Sequence, residues 1–341
     1  MSEVYILCTN TSGVTKPLSW TMVHGRKSLD EICHSVEVEI PLSERDKVHK
    51  HDTLQVRVKN KYLTDNGSSR PITTVKIDEV ADSTDASKKT LTVLGRSPAR
   101  DIIDSQWSDT ISGSPDLLTV AKQIGQKFKI DVMHYPSTEN GTTAVTQFSW
   151  ENESPWSKLL NEADAQGYIL CSNQIGNLYL WKPASGVRRE GFYLEEGKNV
   201  KSVRNSENGA EQFHEYIVKA CGKEGKAIDT TCPNNRILTI NLSDFILDQE
   251  KLNRRAKTEM LRRRENRTTV TVSGWGLTNE QIKALGDTYQ KEVFWECNFL
   301  IPVKLPSSAK KGNMLISAVD FKADKDSMTT DIELVNKDAY R

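Results

Sequence analysis

Apolar and polar residues alternate along five short stretches of residues 1–97. Val36, Val38 and Ile40 share one face of Ser35–Ile40, with Glu37 and Glu39 on the other, and Leu54, Val56 and Val58 repeat the pattern. A period of two places successive side chains on opposite faces, so each stretch predicts a half-buried antiparallel strand. Val4–Cys8, Thr73–Val80 and Thr90–Leu94 read the same way, separated by clusters of Asn, Asp, Gly and Ser. Short strands at this spacing, with no strong helix among them, predict a small barrel or sandwich.

The pattern changes within Thr90–Trp107, TLTVLGRSPARDIIDSQW. Alternation ends at Leu94, Gly95 is read as allowing a sharp change of direction, and Pro98 as stopping the ladder. Ile102 and Ile103, set between Asp101 and Asp104, would pin this junction. Beyond it the apolar period lengthens to that of a helix. Leu117, Ala121, Ile124 and Phe128 follow Ser114-Pro115, read as N-cap and N1, and Trp156, Leu159, Leu160 and Ala163 follow Ser154-Pro155. Gly167 stands where a left-handed C′ residue is wanted. Tyr168–Cys171 and Leu178–Trp181 then predict a hairpin whose turn holds Asn173, Gly176 and Asn177.

Strand patterns return beyond Pro183 at Glu215–Ala220, Arg236–Asn241, Thr268–Ser273, Asn298–Val303, Met314–Phe321 and Thr329–Val335, with one helix over about 248–266. The expected fold class is therefore α+β, mainly β. Two small antiparallel β-barrel domains, 1–97 and 183–341, are expected to flank an α+β module over 98–182. No tandem repeat survives at the level of identity, but the two β-rich blocks are expected to superpose as similar barrels.

Charge narrows the chemistry. The 341 residues carry 46 Lys plus Arg and 46 Asp plus Glu, a formal net charge of zero, so nothing supports a general grip on nucleic acid or anionic membrane. The segment 1–12 lacks the basic start and apolar run of a signal peptide, and no stretch reaches the roughly 18 apolar residues of a spanning helix, so cytoplasmic synthesis without a membrane anchor is expected. Six cysteines lie far apart with no CxxC pair, which suits reduced, mostly buried thiols. His49-Lys50-His51 and Cys33-His34 offer too few ligands for zinc, and no phosphate loop or nucleophile motif appears. No cofactor, metal or catalytic residue is expected.

Two clusters merit a functional reading. The 248–267 segment carries Lys251, Arg254, Arg255, Lys257, Arg262, Arg263, Arg264 and Arg267 against three glutamates, with a narrow apolar stripe of Leu252, Ala256 and Met260. Arg254, Arg255, Arg262, Arg263 and Arg264 either touch a channel or an acidic partner, or belong to a solvated helix with pairs such as Glu250–Arg254 and Glu259–Arg263. On the first reading, reversing Arg262, Arg263 and Arg264 to Glu leaves the chain folded and stops assembly. The second cluster is Glu151 and Glu153 between Trp150 and Trp156, paired acids beside aromatic rings as in sugar-processing sites, or acids favoured ahead of a helix.

Several ordered pieces resemble one family. Gly95-Arg96-Ser97 followed by Asp101-Ile102-Ile103-Asp104, Trp20 with Arg26-Lys27-Ser28-Leu29-Asp30, LLTVAKQIGQKFKIDV, ADAQGY, GNLYL, Gly274-Trp275, Trp295-x-x-Asn298 and the closing TDIELVNKDAY are similar to the Mu-like phage tail proteins, the baseplate hubs of contractile tails. Lys27 departs from that pattern and is read as a bulge. The family includes relatives in the hub part of the valine-glycine-repeat spike proteins of type VI secretion. The resemblance implies a phage tail hub-like fold and a non-enzymatic virion protein of the tail baseplate. It implies a homotrimer that joins a sixfold tail tube to a threefold spike, with DNA and tape-measure protein passing through its channel. The alternative is a cell-wall-active or glycan-binding tail component built on the cluster near Trp150. Incubation with peptidoglycan and soluble glycans is expected to give neither turnover nor binding, and turnover abolished by Glu151→Gln or Glu153→Gln would establish the alternative.

Overall fold

The computed structural model describes residues 3–59, 69–84, 89–135, 142–143, 145, 148–184, 191–242, 248–278, 281–282 and 294–340. The first block forms β1 (Glu3–Thr9), β2 (Thr15–Leu18), β3 (Met22–Ser28), β4 (Ser35–Pro41), β5 (Thr53–Lys59), β6 (Arg70–Thr84) and β7 (Lys89–Arg96). The alternation is realised as expected, with Val36, Val38, Ile40, Leu54, Val56 and Val58 all buried. Gly95 is not a turn. It lies inside β7, paired with Val36 on one side and Ile77 on the other, and a Cβ there would stand 2.8 Å from the Lys76 carbonyl oxygen. Close backbone approach beside a bulge in β6, not a change of direction, is what requires glycine.

The chain leaves the sheet after Arg96 into the short helix α1 (Arg100–Asp104). Arg96 bridges Asp78 at 2.9 Å and Asp104 at 2.6 Å, Arg100 also reaches Asp78, Lys76 reaches Asp101, and Ile102 is fully buried. The middle region comprises β8 (Trp107–Ile111), α2 (Leu117–Lys127), β9 (Val132–Tyr135), β10 (Phe148–Glu153), α3 (Trp156–Ala165), β11 (Ile169–Ser172) and β12 (Leu178–Trp181). The β11–β12 hairpin forms, β9 adds to it in parallel, and β8 pairs with β10. Leu117, Val120, Ala121, Ile124, Phe148, Leu159 and Ala163 make a core distinct from that of the large sheet. Gly167 is left-handed, φ 75°, as expected. The first helix start is displaced, because Ser114 has φ 51° and cannot cap, whereas extended Asp116 accepts from the Thr119 amide at 2.7 Å.

The last region forms β13 (Leu194–Glu195), β14 (Val200–Ser206), β15 (Glu215–Ala220), β16 (Lys223–Ile228), β17 (Ile237–Asn241), α4 (Gln249–Arg264), β18 (Arg267–Ser273), β19 (Leu300–Leu305), β20 (Lys310–Asp324) and β21 (Met328–Asn336). β15, β16 and β17 make a separate sheet covered by α4, inserted between β14 and β18. Gly225 in β16 lies so close beneath α4 that a Cβ would come within 2.3 Å of the Leu252 carbonyl carbon.

The two β-rich blocks do not form two barrels. β3 and β20 pair antiparallel from Ser28–Ala318 to Met22–Asp324, joining the blocks in one 13-stranded sheet, and no closed barrel forms among the described residues. What repeats is the strand order. The first block runs β1-β5-β6-β7-β4-β3 and the second β13-β19-β20-β21-β18-β14. Each contains one 15-residue strand with a register shift, between Ile77 and Glu79 in β6 and between Ile316 and Ala318 in β20. With Ile77 set on Ile316, the hairpin pairs agree throughout: Val80–Val93 corresponds to Val319–Ile332, and Thr84–Lys89 to Ala323–Met328. One pairing differs, since β1 meets β5 antiparallel and β13 meets β19 parallel.

Lys27 is no bulge either, since β3 pairs without interruption and the irregularity lies opposite, in β20. Its side chain is 2 % exposed, its Nζ lies 2.7 Å from Glu296 Oε2 and 5.3 Å over the Phe321 ring, and Gln174 Nε2 donates to the same carboxylate oxygen at 2.9 Å. All three regions of the chain therefore meet at one buried ion pair. Removing one member of such a pair strands the other charge, so Lys27→Ala is expected to cost about 3–5 kcal/mol in urea denaturation, while the double variant Lys27→Met, Glu296→Leu recovers most of that loss.

Candidate partner-contact surface

The basic helix is held by its apolar stripe and its cap before any charge is considered. Asp248 accepts from the Glu250 amide at 2.9 Å, and Leu252, Ala256, Met260 and Leu261 pack on Tyr216 and Val218 of β15 and on Ala165 of α3. That packing turns one basic flank toward α3, whose Glu162 and Asp164 are both 2 % exposed. Lys251 Nζ lies 2.9 Å from Glu162, Arg262 grips Asp164 with two hydrogen bonds of 2.7 and 3.1 Å, and Arg255 Nε lies 3.6 Å from Asp164. A guanidinium fork matches a carboxylate in this bidentate manner. Arg262 also stacks 5.0 Å over Tyr340, whose hydroxyl donates to Asp30 at 2.7 Å.

The five arginines therefore divide. Arg255 and Arg262 face inward, 9 % and 19 % exposed at the side chain, and serve the interior. Arg254, 42 % exposed, pairs with Glu250 at 3.0 Å, and Arg263, 28 % exposed, pairs with Glu259 at 2.5 Å and approaches Glu211 at 3.4 Å, so both of the expected i,i+4 pairs are present. Arg264, half-buried in the last turn, acts on the charges of Asp229 and Glu265. The triple reversal at 262–264 thus cannot leave the fold untouched, since Arg262→Glu sets a third carboxylate against Asp164.

A cleft of about 710 Å³ opens between α4 and the β14-β18-β21 end of the large sheet. Ser202, Arg204 and Ser206 of β14, Arg267 and Thr269 of β18, Asp331 and Glu333 of β21, and Arg262 and Arg263 of α4 line it. Four arginines there face six carboxylates, so the cleft is a mixed polar surface and not a cationic track. The basic residues were legible in the sequence, but their partners were not: Glu162 for Lys251, Asp164 for Arg262 and Asp30 for Arg267 lie 89, 98 and 237 positions away, and nothing local in the chain couples such distances.

The second cluster is dispersed. Trp150 is 2 % exposed and packs edge-on against Trp107 at 5.2 Å and against Phe148 at 5.6 Å, so its ring offers no stacking face to a sugar. Glu151 is exposed, and Glu153 pairs with Lys158 at 2.8 Å. His49 and His51 are exposed as read, while His34 is buried and held well below the usual histidine range by burial and then by the Lys27 charge. Among the described residues no group of three His, Cys, Asp or Glu side chains is placed to hold a metal. Five of the six cysteines are buried; burial first, then Asp52, pushes Cys8 up to about 12, and burial pushes Cys33 up to about 11. No helix among the described residues is long and apolar enough to cross a membrane.

The chain has the fold of Mu-like prophage tail proteins and of gp27-like hub components, over nearly its whole length. It is similar to the 43 kDa tail protein of prophage MuSo2 from Shewanella oneidensis, at 22% identity and TM-score 0.75 over 98% of this chain and 99% of that one. It is also similar to a tail protein from Neisseria meningitidis MC58, at 16% identity and TM-score 0.73 over 99% and 98%. The E. coli c3393 protein, a type VI secretion component with structural similarity to the T4 tail proteins gp27 and gp5, matches at 9% identity and TM-score 0.60 over 98% and 76%. The sequence matches no family model and no curated protein.

The Arg255–Glu259–Arg263 cluster carries a pH signature. Burial alone would raise the Glu259 carboxyl, but the Arg255 charge and hydrogen bonds from Arg255 and Arg263 outweigh it and hold the group below its ordinary value of 4.5. Its stabilisation is complete above the unfolded value and disappears as pH falls below about 4.5 through the folded one. Glu259→Gln is expected to lower the melting temperature at pH 7, by an amount that shrinks as the pH is taken progressively below about 4.5, as read by circular dichroism.

Proposed function

We propose that this chain is a structural hub protein of a contractile phage or prophage tail. Three copies form a ring that joins the tail tube to the central spike, and the ring encloses the channel through which DNA and tape-measure protein pass. The observation that carries this reading is the match in fold along essentially the whole of both chains with a prophage tail protein. The likeness to a type VI secretion component similar to gp27 supports a place beside a spike. The protein then resides in the tail of the virion, with the tube, the spike and two further copies of itself as partners.

The repeated strand order supports the symmetry that this role demands. An adaptor between a sixfold tube and a threefold spike must present six similar surfaces above and three identical ones below. Three copies of a chain that carries one strand arrangement twice supply both. The role needs no reaction, and the cluster that suggested one is taken apart by the burial of Trp150. With positive and negative charges equal in number, the chain as a whole has no general electrostatic attraction for DNA.

Light scattering after size exclusion, across a range of protein concentrations, tests the oligomer. A species of three chain masses is expected, growing with concentration, and a strict monomer at the highest concentration would overturn the hub reading.

A further inference from the structure

We propose that Lys251 and Gln166 are joined by an isopeptide bond that the folded chain forms by itself, with Glu162 carrying the protons and one ammonia leaving. The bond stands apart from the hub reading, because it concerns how α4 is fixed to α3 within a single chain.

Three side chains converge on one carboxylate oxygen. Glu162 Oε1 accepts from Lys251 Nζ at 2.9 Å and from Gln166 Nε2 at 2.7 Å, so an amine and a carboxamide share a single atom between them. Helical spacing sets Gln166, the residue that caps α3, on the same face as Glu162 four positions earlier. The packing of Leu252 and Ala256 with Ala165 brings Lys251 to that place from α4. The carboxamide cannot turn over. Its Oε1 accepts from the Thr143 backbone N–H at 2.8 Å, and its Nε2 also donates to the Thr143 carbonyl oxygen at 3.2 Å, so the backbone decides which end is oxygen.

Burial favours reaction over a lasting ion pair. Glu162 is 2 % exposed, Gln166 7 % and the Lys251 side chain 16 %. Glu162 Oε2 is buried with no hydrogen-bond partner among the described residues, so the carboxylate is only half satisfied, and moving the Lys251 proton onto it removes two buried charges at once. The neutral amine is then a nucleophile. Its lone pair attacks Gln166 Cδ, and the carbonyl π electrons move onto Oε1, where the Thr143 N–H meets the developing charge. Glu162 passes its proton to Nε2 and takes a second from the attacking nitrogen; the Cδ–Nε2 bond breaks and its electron pair leaves with ammonia. The products are one amide, one ammonia and Glu162 as a neutral acid, and no outside reactant is consumed. Aminolysis of a carboxamide is slow in water, but groups held in one site reach effective molarities on the order of 10⁵ M or more. Lys27, Glu296 and Gln174 share the arrangement of two nitrogens on one oxygen, yet that carboxylate is 12 % exposed and that carboxamide lies in a half-buried turn, so they serve as the comparison within the chain.

The test is the intact mass of the purified full-length chain, followed by peptide mapping. The native chain, held at neutral pH, is expected to weigh less than its sequence by one ammonia. Trypsin does not cut after an acylated lysine, so a branched peptide joining Lys251 to Gln166 is expected. Lys251→Arg keeps the ion pair and removes the nucleophile, and is expected to fold by circular dichroism and to show the full sequence mass. Glu162→Gln removes the proton carrier and is expected to show the full mass as well. A native chain at its sequence mass overturns the proposal, and so does a loss of ammonia that persists in Lys251→Arg or maps elsewhere, Lys27–Gln174 included. A loss abolished by Lys251→Arg but retained in Glu162→Gln overturns the role given to Glu162.

Discussion

The pairing of β3 with β20 is the contact on which the rest of this molecule depends. It joins residues nearly three hundred positions apart, and through it two six-stranded arrangements become one sheet with one core, running from Ile6 and Val38 to Phe321 and Tyr340. The Arg26–Asp320 ion pair of 2.7 Å marks its outer face, and buried Lys27 with Glu296 its inner one. Outer and inner pairs do different work. The Arg26–Asp320 pair is half-buried, whereas the Lys27–Glu296 pair is buried, costly to break and therefore fixes register, because a slip by one residue would turn Lys27 outward and strand Glu296.

The inserted β15–β17 and α4 unit shows how a strongly basic segment can be structural. A helix with so narrow an apolar stripe buries too little on its own, and its docking relies on Asp164 and Glu162, which α3 holds almost out of solvent. Carboxylates in that setting need fixed cations, and Arg262, Arg255 and Lys251 provide them. The insertion is thereby tied to the middle region, and the positive charge left over is met by carboxylates along the cleft. Helical spacing brings basic residues onto one face; which of them are free is decided by the element that packs there.

Much of the architecture was legible in the chain. Alternation at Ser35–Ile40 and Thr53–Val58, the helical period after Leu117 and Trp156, and the left-handed glycine at Gly167 all follow from local rules, since side-chain period and backbone sterics act over a few residues. Where local rules failed, a non-local cause competed. Gly95 looked like a turn and is a point of close contact with β6. Val200–Ser206, VKSVRNS, lacks alternation because neither face is buried, and so gave no strand signal. The expected pair of barrels failed because strand alternation specifies a buried face and says nothing of which edge that face's neighbour will occupy.

The sequence by itself determined the element types, the mainly β class, the balanced charge and the burial of most cysteines, each a matter of composition or of short-range periodicity. Only the tertiary structure decided that β3 pairs with β20, that Arg262 belongs to Asp164, that Trp150 lies in a core, and that one strand order occurs twice. These are relations between residues far apart in the chain. They depend on closing long loops against the cost of lost chain entropy, and that balance is set by the whole of the buried surface and not by any stretch of residues taken alone.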